Sequence, residues 1–390
     1  MTSSTLFIRF TSLLVVLLLT DPIGSQGKAW QQAERVVHPT PDNIPADDAV
    51  DFVIDQQKPA DDTELHRIAR QIARAREWQS IGKLEGERSE MFGIVKDAAV
   101  GPDGLLYTLD SRYNEVRIYD EQGHLKAQFG KPGRGPKEFA MPKKIGIGNH
   151  GEVVVADLGA RRLKVLERHD TTFVLRDLIE YGIVQLDLCT LGPRIYLRGW
   201  RTGPDRDPNQ APGSVVVHSI SGSFEGAWGA MYQAKQPDIQ QRLSKGPIAC
   251  SEDTRRIVTG NTVLPVLRGY ALDGTQKWIS KIADFSPMDI ETQGSSTTMH
   301  YAGLSGNRPT DVMVEITSVP GGYVLAQVGR RMPRGSKQKS SLHTYLVSAE
   351  TGRGVYVGTA LPQVFAVTAD RIVAGVNAPF PQVKIYAYGN

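Results

Sequence analysis

Cysteine is almost missing: the 390 residues hold two, Cys189 and Cys250, and no CxxC. Both fall on predicted inner strands, where a buried free thiol and a disulfide are equally ordinary, so pairing stays open at this level. Long apolar runs are missing beyond the first twenty residues, so no later segment is expected to cross a bilayer. A strong charge of either sign is lacking too. Lys and Arg number 45 against 42 Asp and Glu, a formal net charge of +3. That balance argues for no bulk polyanion partner, while leaving room for a local cluster. The familiar catalytic strings HExxH, GxSxG and the P-loop do not occur, and the eight histidines show no metal-ligand spacing.

What is present begins at the N-terminus. Arg9 precedes an apolar run from Phe10 to Leu19, Asp21 and Pro22 end it, and Gly24, Ser25 and Gly27 follow. This is the layout of a secretory signal peptide, expected over residues 1–27. The run is shorter than the roughly 20 residues that span a bilayer, and no cysteine follows it for lipid attachment. The mature chain is therefore expected outside the cytoplasm, periplasmic or secreted, with no transmembrane segment after cleavage. Residues 28–62, rich in Pro and Asp, read as a disordered linker. Residues 63–77 read as an amphipathic helix capped by Asp62 and Thr63. Leu65, Ile68, Ile72 and Ala75 share one face, with Arg67, Arg70, Arg74 and Arg76 around it. Packing against the domain edge is the expected role, in preference to membrane binding.

Repeats start beyond Trp78. Residues 92–130 and 139–178 align almost position for position. Each has a short apolar strand, a Gly turn, a second strand ending in Asp (Asp110, Asp157), a third alternating strand, a turn and a fourth strand. The phrase from Phe129 to Phe139 between the units has an earlier partner from Ile81 to Phe92. Four strands per repeat is the pattern of propeller blades. The phrases Tyr107 to Asp110, Val154 to Asp157 and Glu115 to Asp120 resemble those of NHL repeats. The clear resemblance covers the first two units only; it implies a six-bladed β-propeller. Four drifted units follow, recognised by their first two strands: 185–190 with 194–198, 247–251 with 256–259, 312–318 with 323–328, and 364–368 with 371–376. The chain ends after a third strand, 383–388, while residues 78–81 stand ahead of the first blade as an orphan fourth. The expected fold is all-β: a six-bladed propeller over 78–390, closed by an N-terminal strand that completes the last blade.

Two sets of candidate residues follow from this placement. The connections between blades and between second and third strands emerge on one face, and there the chain puts Arg112, Arg161, Arg201, Arg330, Arg331 and Arg334, with Trp200 on a long insertion. Lys131, Arg134, Lys137, Lys143 and Lys144 add to that face. Guanidinium groups suit carboxylates, phosphates or sulfates, so the expected partner is a protein, peptide or acidic glycan. Some NHL propellers bind RNA through such a face; export and sparse aromatics make nucleic acid an unexpected partner here. The second set is Asp97, Asp187 and Glu315 on three inner strands. Propeller lyases and lactonases resemble this architecture and hold calcium or zinc in the tunnel, which implies an alternative metal-dependent lyase or hydrolase. Lys96, Lys143 and Lys144 beside these carboxylates favour structural ion pairs, so no cofactor is the leading expectation. Asp205, Asp207 and Asn209 echo a calcium loop, but Gln210 and Val216 replace its Gly and Glu. Asp110 and Asp157 are expected to cap turns.

Overall fold

The computed structural model describes residues 35–38, 44–58, 61–169, 172–180, 187–199, 213–234, 239–240, 243–293, 296–300 and 308–389. The expected signal peptide, Trp200, Arg201 and the 205–209 turn lie outside them.

Alternating apolar residues and regularly spaced turns produce six antiparallel sheets, each a blade whose innermost strand lines a central tunnel. Blade 1 consists of Val95–Val100, Leu106–Asp110, Glu115–Tyr119 and Leu125–Phe129. Blade 2 repeats it with Pro142–Ile147, Val153–Asp157, Arg162–His169 and Thr172–Glu180. In both, the first hairpin turns on a glycine with positive φ, Gly104 and Gly151, a conformation other residues resist. The drifted units keep four strands each. Blade 3 starts with Asp187–Leu191, blade 4 with Ile248–Ser251, blade 5 with Thr310–Val319 and blade 6 with Gln363–Val367. The core lies between blades: Tyr107, Leu109, Val116 and Ile118 of blade 1 pack on Ile145, Val153 and Val155 of blade 2.

The repeated phrases between blades have a physical reason. Arg117, fully buried on the third strand of blade 1, donates to the carbonyls of Arg88, Ser89 and Met91 in the first phrase. Its guanidinium also pairs with Glu115 and lies over the Phe92 ring. Lys164 takes the same place in blade 2, reaching the carbonyls of Gly135 and Glu138 over Phe139. Each phrase is thus a turn wrapped around a buried cation. Asp110 accepts from the N–H groups of Gly93, Ile94, Arg112 and Tyr113, and Asp157 from those of Ala140, Met141 and Ala160. Both are the turn caps their positions implied.

The ring closes as expected, with Arg76–Ile81 antiparallel to Gln382–Ala387 as the fourth strand of blade 6. The helix is shorter than 63–77: it spans Thr63–Ala73, and Arg76 already belongs to the closing strand. Asp62 caps it through Leu65 N–H, and Leu65, Ala69 and Ile72 are buried against blades 5 and 6. No helix of the described residues is long and apolar enough to cross a membrane.

The expectation of a disordered linker over 28–62 needs correction. Phe52–Ile54 pairs in parallel with Gln276–Ile282 as a fifth strand of blade 4, with Ile54 fully buried. Arg35–His38 joins Asp289–Gln293 and Ser296–His300 in a small separate sheet. A three-residue apolar run is too short for a periodicity argument, yet an open sheet edge is enough to order it. Cys189 and Cys250 form a disulfide that ties the innermost strands of blades 3 and 4 across 61 residues of sequence.

Candidate functional site

Each innermost strand starts at the face where the blades connect and runs down the tunnel. Four of the six carry a one-residue bulge near that start. In blade 1 the pairing steps from Val95 with Asp110 to Asp97 with Leu109, leaving Lys96 over. In the same way blade 2 leaves Lys143, blade 5 Val314 and blade 6 Phe365. A bulge re-aims the side chains beside it. Here it sends Asp97, Lys144 and Glu315 into the tunnel and sets Lys96 and Lys143 at its rim.

Inside, Asp97, Asp187 and Glu315 do converge, but on an ammonium. Lys144 Nζ is 3.2 Å from Asp97 Oδ1, 3.3 Å from Asp187 Oδ1 and 3.0 Å from Glu315 Oε1. The remaining oxygens are committed as well. Asp97 Oδ2 accepts from Ile145 N–H and Asp187 Oδ2 from Ile248 N–H, each stapling one blade to the next. Glu315 Oε2 accepts from Gln363 Nε2. A calcium or zinc ion on these carboxylates would have to displace a tethered positive charge, so the donor set does not fit a metal while Lys144 is present. Among the described residues no group of three or more His, Cys, Asp or Glu is arranged to hold a metal ion.

Three carboxylates against one ammonium leave the cluster with an excess of negative charge. Burial raises Glu315 to about 8; Lys144 opposes the shift, and Asp187 and Asp97 add to it. Burial raises Asp97 too. For Lys144, burial acts downward, but the three carboxylates outweigh it and hold the amine well above its ordinary value. Between pH 4.5 and about 8 the folded chain therefore keeps a proton on Glu315 that the unfolded chain has lost. That contribution to stability is present at low pH and fades as pH rises through the window. Glu315→Gln, which has no proton to lose, is expected to flatten the decline of the urea midpoint between about pH 5 and 8. An unchanged slope would assign the decline elsewhere.

Above the cluster the mouth opens into a cavity of 430 Å³, lined by Lys96, Lys143, Lys144, Asp187, Glu315 and Arg331 among others. Lys143 is half-buried, and burial together with the like charge of Lys96 lowers its pKa. No carboxylate of the described residues forms an ion pair with Lys96 or Lys143. Below the cluster the tunnel continues as a cavity of 220 Å³, lined by Val100, Ile147, Leu188 and Ile316 together with Thr190 and Thr317. Lys144 and Glu315 border both cavities, with Asp187 on the upper one and Asp97 on the lower, so the cluster lies across the tunnel between them.

The expected loop-face arginines divide. Arg331 lines the mouth, and Arg334, three residues on in the sequence, is exposed. Arg112 and Arg161 are exposed on the turns of blades 1 and 2, away from the mouth lining. Arg330 is not available for a ligand: it pairs with fully buried Asp311 at 2.7 Å and donates to the Asp284 carbonyl, bolting blade 5 to the segment ahead of it. Lys143, expected on the loop face, and Lys96, expected beside the tunnel carboxylates, both line the mouth. The signal was the Lys-Asp and Lys-Lys doublets at matching points of two repeats.

The 6-bladed beta-propeller family DUF5128 matches residues 84–169. No curated protein matches. Among solved structures, a protein of Bacteroides fragilis described as exported is 10% identical with a TM-score of 0.55, over 87% of this chain and 99% of that one. A DUF4221 family member from Bacteroides vulgatus is also 10% identical, with a TM-score of 0.51 over 81% and 98%. Virginiamycin B lyase from Staphylococcus aureus is 10% identical over 80% and 99%, at a TM-score of 0.42 too low to inform this chain. At such identities the likeness is one of fold: the chain is a six-bladed β-propeller.

Proposed function

We propose that this chain is an exported propeller of the NHL-repeat type that binds rather than catalyses, holding a peptide, protein or acidic glycan on its loop face with an anionic group of the ligand in the tunnel mouth. One observation carries the reading: Lys96 and Lys143 are held side by side at the cavity by matching bulges, with no acidic partner of their own among the described residues. Keeping two ammonium groups together costs free energy, and a bound carboxylate or sulfate would recover it. Arg331 lines the same cavity, which adds a guanidinium to the basic surface.

Calorimetry with inorganic sulfate and with a tetraglutamate peptide tests this. Both are expected to bind, and Lys96→Ala or Lys143→Ala to weaken them by about tenfold, the loss of one charge-assisted hydrogen bond. Failure of both probes to bind, or binding indifferent to both lysines, would remove the mouth as the site.

A further inference from the structure

The opposite face of the ring carries a second basic site, built where the helix meets the closing strand. A groove of 640 Å³ there is lined by Arg67, Arg70, Arg74, Arg76 and Arg371, with no Asp or Glu in its lining. Glu64 engages Arg67 and Asp370 engages Arg371. Arg70, Arg74 and Arg76 have no carboxylate partner among the described residues. The last turn of a helix favours cations, which accounts for Arg70 and Arg74. It does not account for Arg76 and Arg371, which enter from blade 6.

Arg371 is also shared with a neighbouring cavity of 480 Å³ that holds Trp78, Leu105, Leu106, Val373 and Ile385. Its guanidinium lies 4.6 Å over the Trp78 ring, and that tryptophan is 47% exposed. The rim of this second cavity is acidic, with Asp120, Glu121 and Asp370. The two halves therefore ask for different things of one ligand. The groove takes carboxylate or sulfate; the indole takes a flat apolar face, and the acidic rim takes hydroxyl donors while repelling further anions.

We propose that this composite groove binds an acidic oligosaccharide, its charged residue among the arginines and a neighbouring sugar on Trp78. An acidic peptide or an anionic bilayer fits less well, because either would lay charge across the acidic rim. The helix's apolar face, moreover, is already buried by Leu65, Ala69 and Ile72.

The test is calorimetry on the full chain with two tetrasaccharides, one of uronic acid and one sulfated, alongside the neutral methyl ester of the first, tetraglutamate and anionic vesicles. At least one acidic tetrasaccharide is expected to bind, and the neutral form at least tenfold more weakly. The double variant Arg74→Ala, Arg76→Ala, both exposed positions, is expected to lose tenfold or more with an unchanged melting temperature. Trp78→Ala should weaken the sugar, and Lys143→Ala on the far face should leave it untouched, which separates this site from the tunnel mouth. Failure of both tetrasaccharides to bind, or binding insensitive to the arginine pair, would overturn the assignment. Tighter binding of tetraglutamate or vesicles at these arginines would replace the sugar with that partner.

Discussion

Lys144→Ala is expected to lower folding stability by about 3–5 kcal/mol, the cost of stripping a buried ion cluster of one member, and to make the remaining stability depend on calcium. Without the ammonium, Asp97, Asp187 and Glu315 keep their places through Ile145, Ile248 and Gln363, leaving three inward oxygens around a space the size of a lysine head. Hard divalent cations prefer such an oxygen set. Saturation to a hundred times the dissociation constant would return about 2.7 kcal/mol. Urea denaturation of the variant with millimolar calcium and with chelator measures both parts. Lys144→Met, which fills the space without charge, should be insensitive to calcium. A calcium-indifferent alanine variant would mean the carboxylates scatter once Lys144 is gone, so that the lysine organises the tunnel as well as neutralising it.

The second large effect concerns closure. A chain starting at residue 62 is expected to fold, and one starting at residue 82 to lose its cooperative melting transition altogether. The difference is the helix and the closing strand. Arg76–Ile81 supplies the whole outer edge of blade 6, and buried Ile81 packs with Val373, Val383 and Ile385. Leu65 and Ile72 are fully buried over blades 5 and 6. Total stabilities are only about 5–15 kcal/mol, and an unsealed ring exposes two apolar blade faces at once. Circular dichroism melts of the two truncations decide the matter. A cooperative melt for the shorter chain would show that five sealed interfaces suffice.

Much of this architecture was legible because its signals are local and repeated. Strand alternation, glycine turns and the capping aspartates recur in each clean blade, and the two chain ends fit together as complementary fragments of one sheet. What escaped was non-local or broke the period. The bulges at Lys96, Lys143, Val314 and Phe365 each flip the alternation once, so a strict period of two cannot say which lysine faces the tunnel. Phe52–Ile54 is ordered only by an edge more than two hundred residues away. Arg330 reads as a loop cation because its partner, Asp311, lies on an adjacent strand whose register was unknown.

The cluster of Lys144 and its carboxylates decides what kind of object this ring is. Side chains from blades 1, 2, 3 and 5 meet on the axis, so each face presents its own cavity with a charged cluster at its floor. The molecule is then a two-sided plate. If both basic surfaces are filled, it would tether two acidic partners back to back.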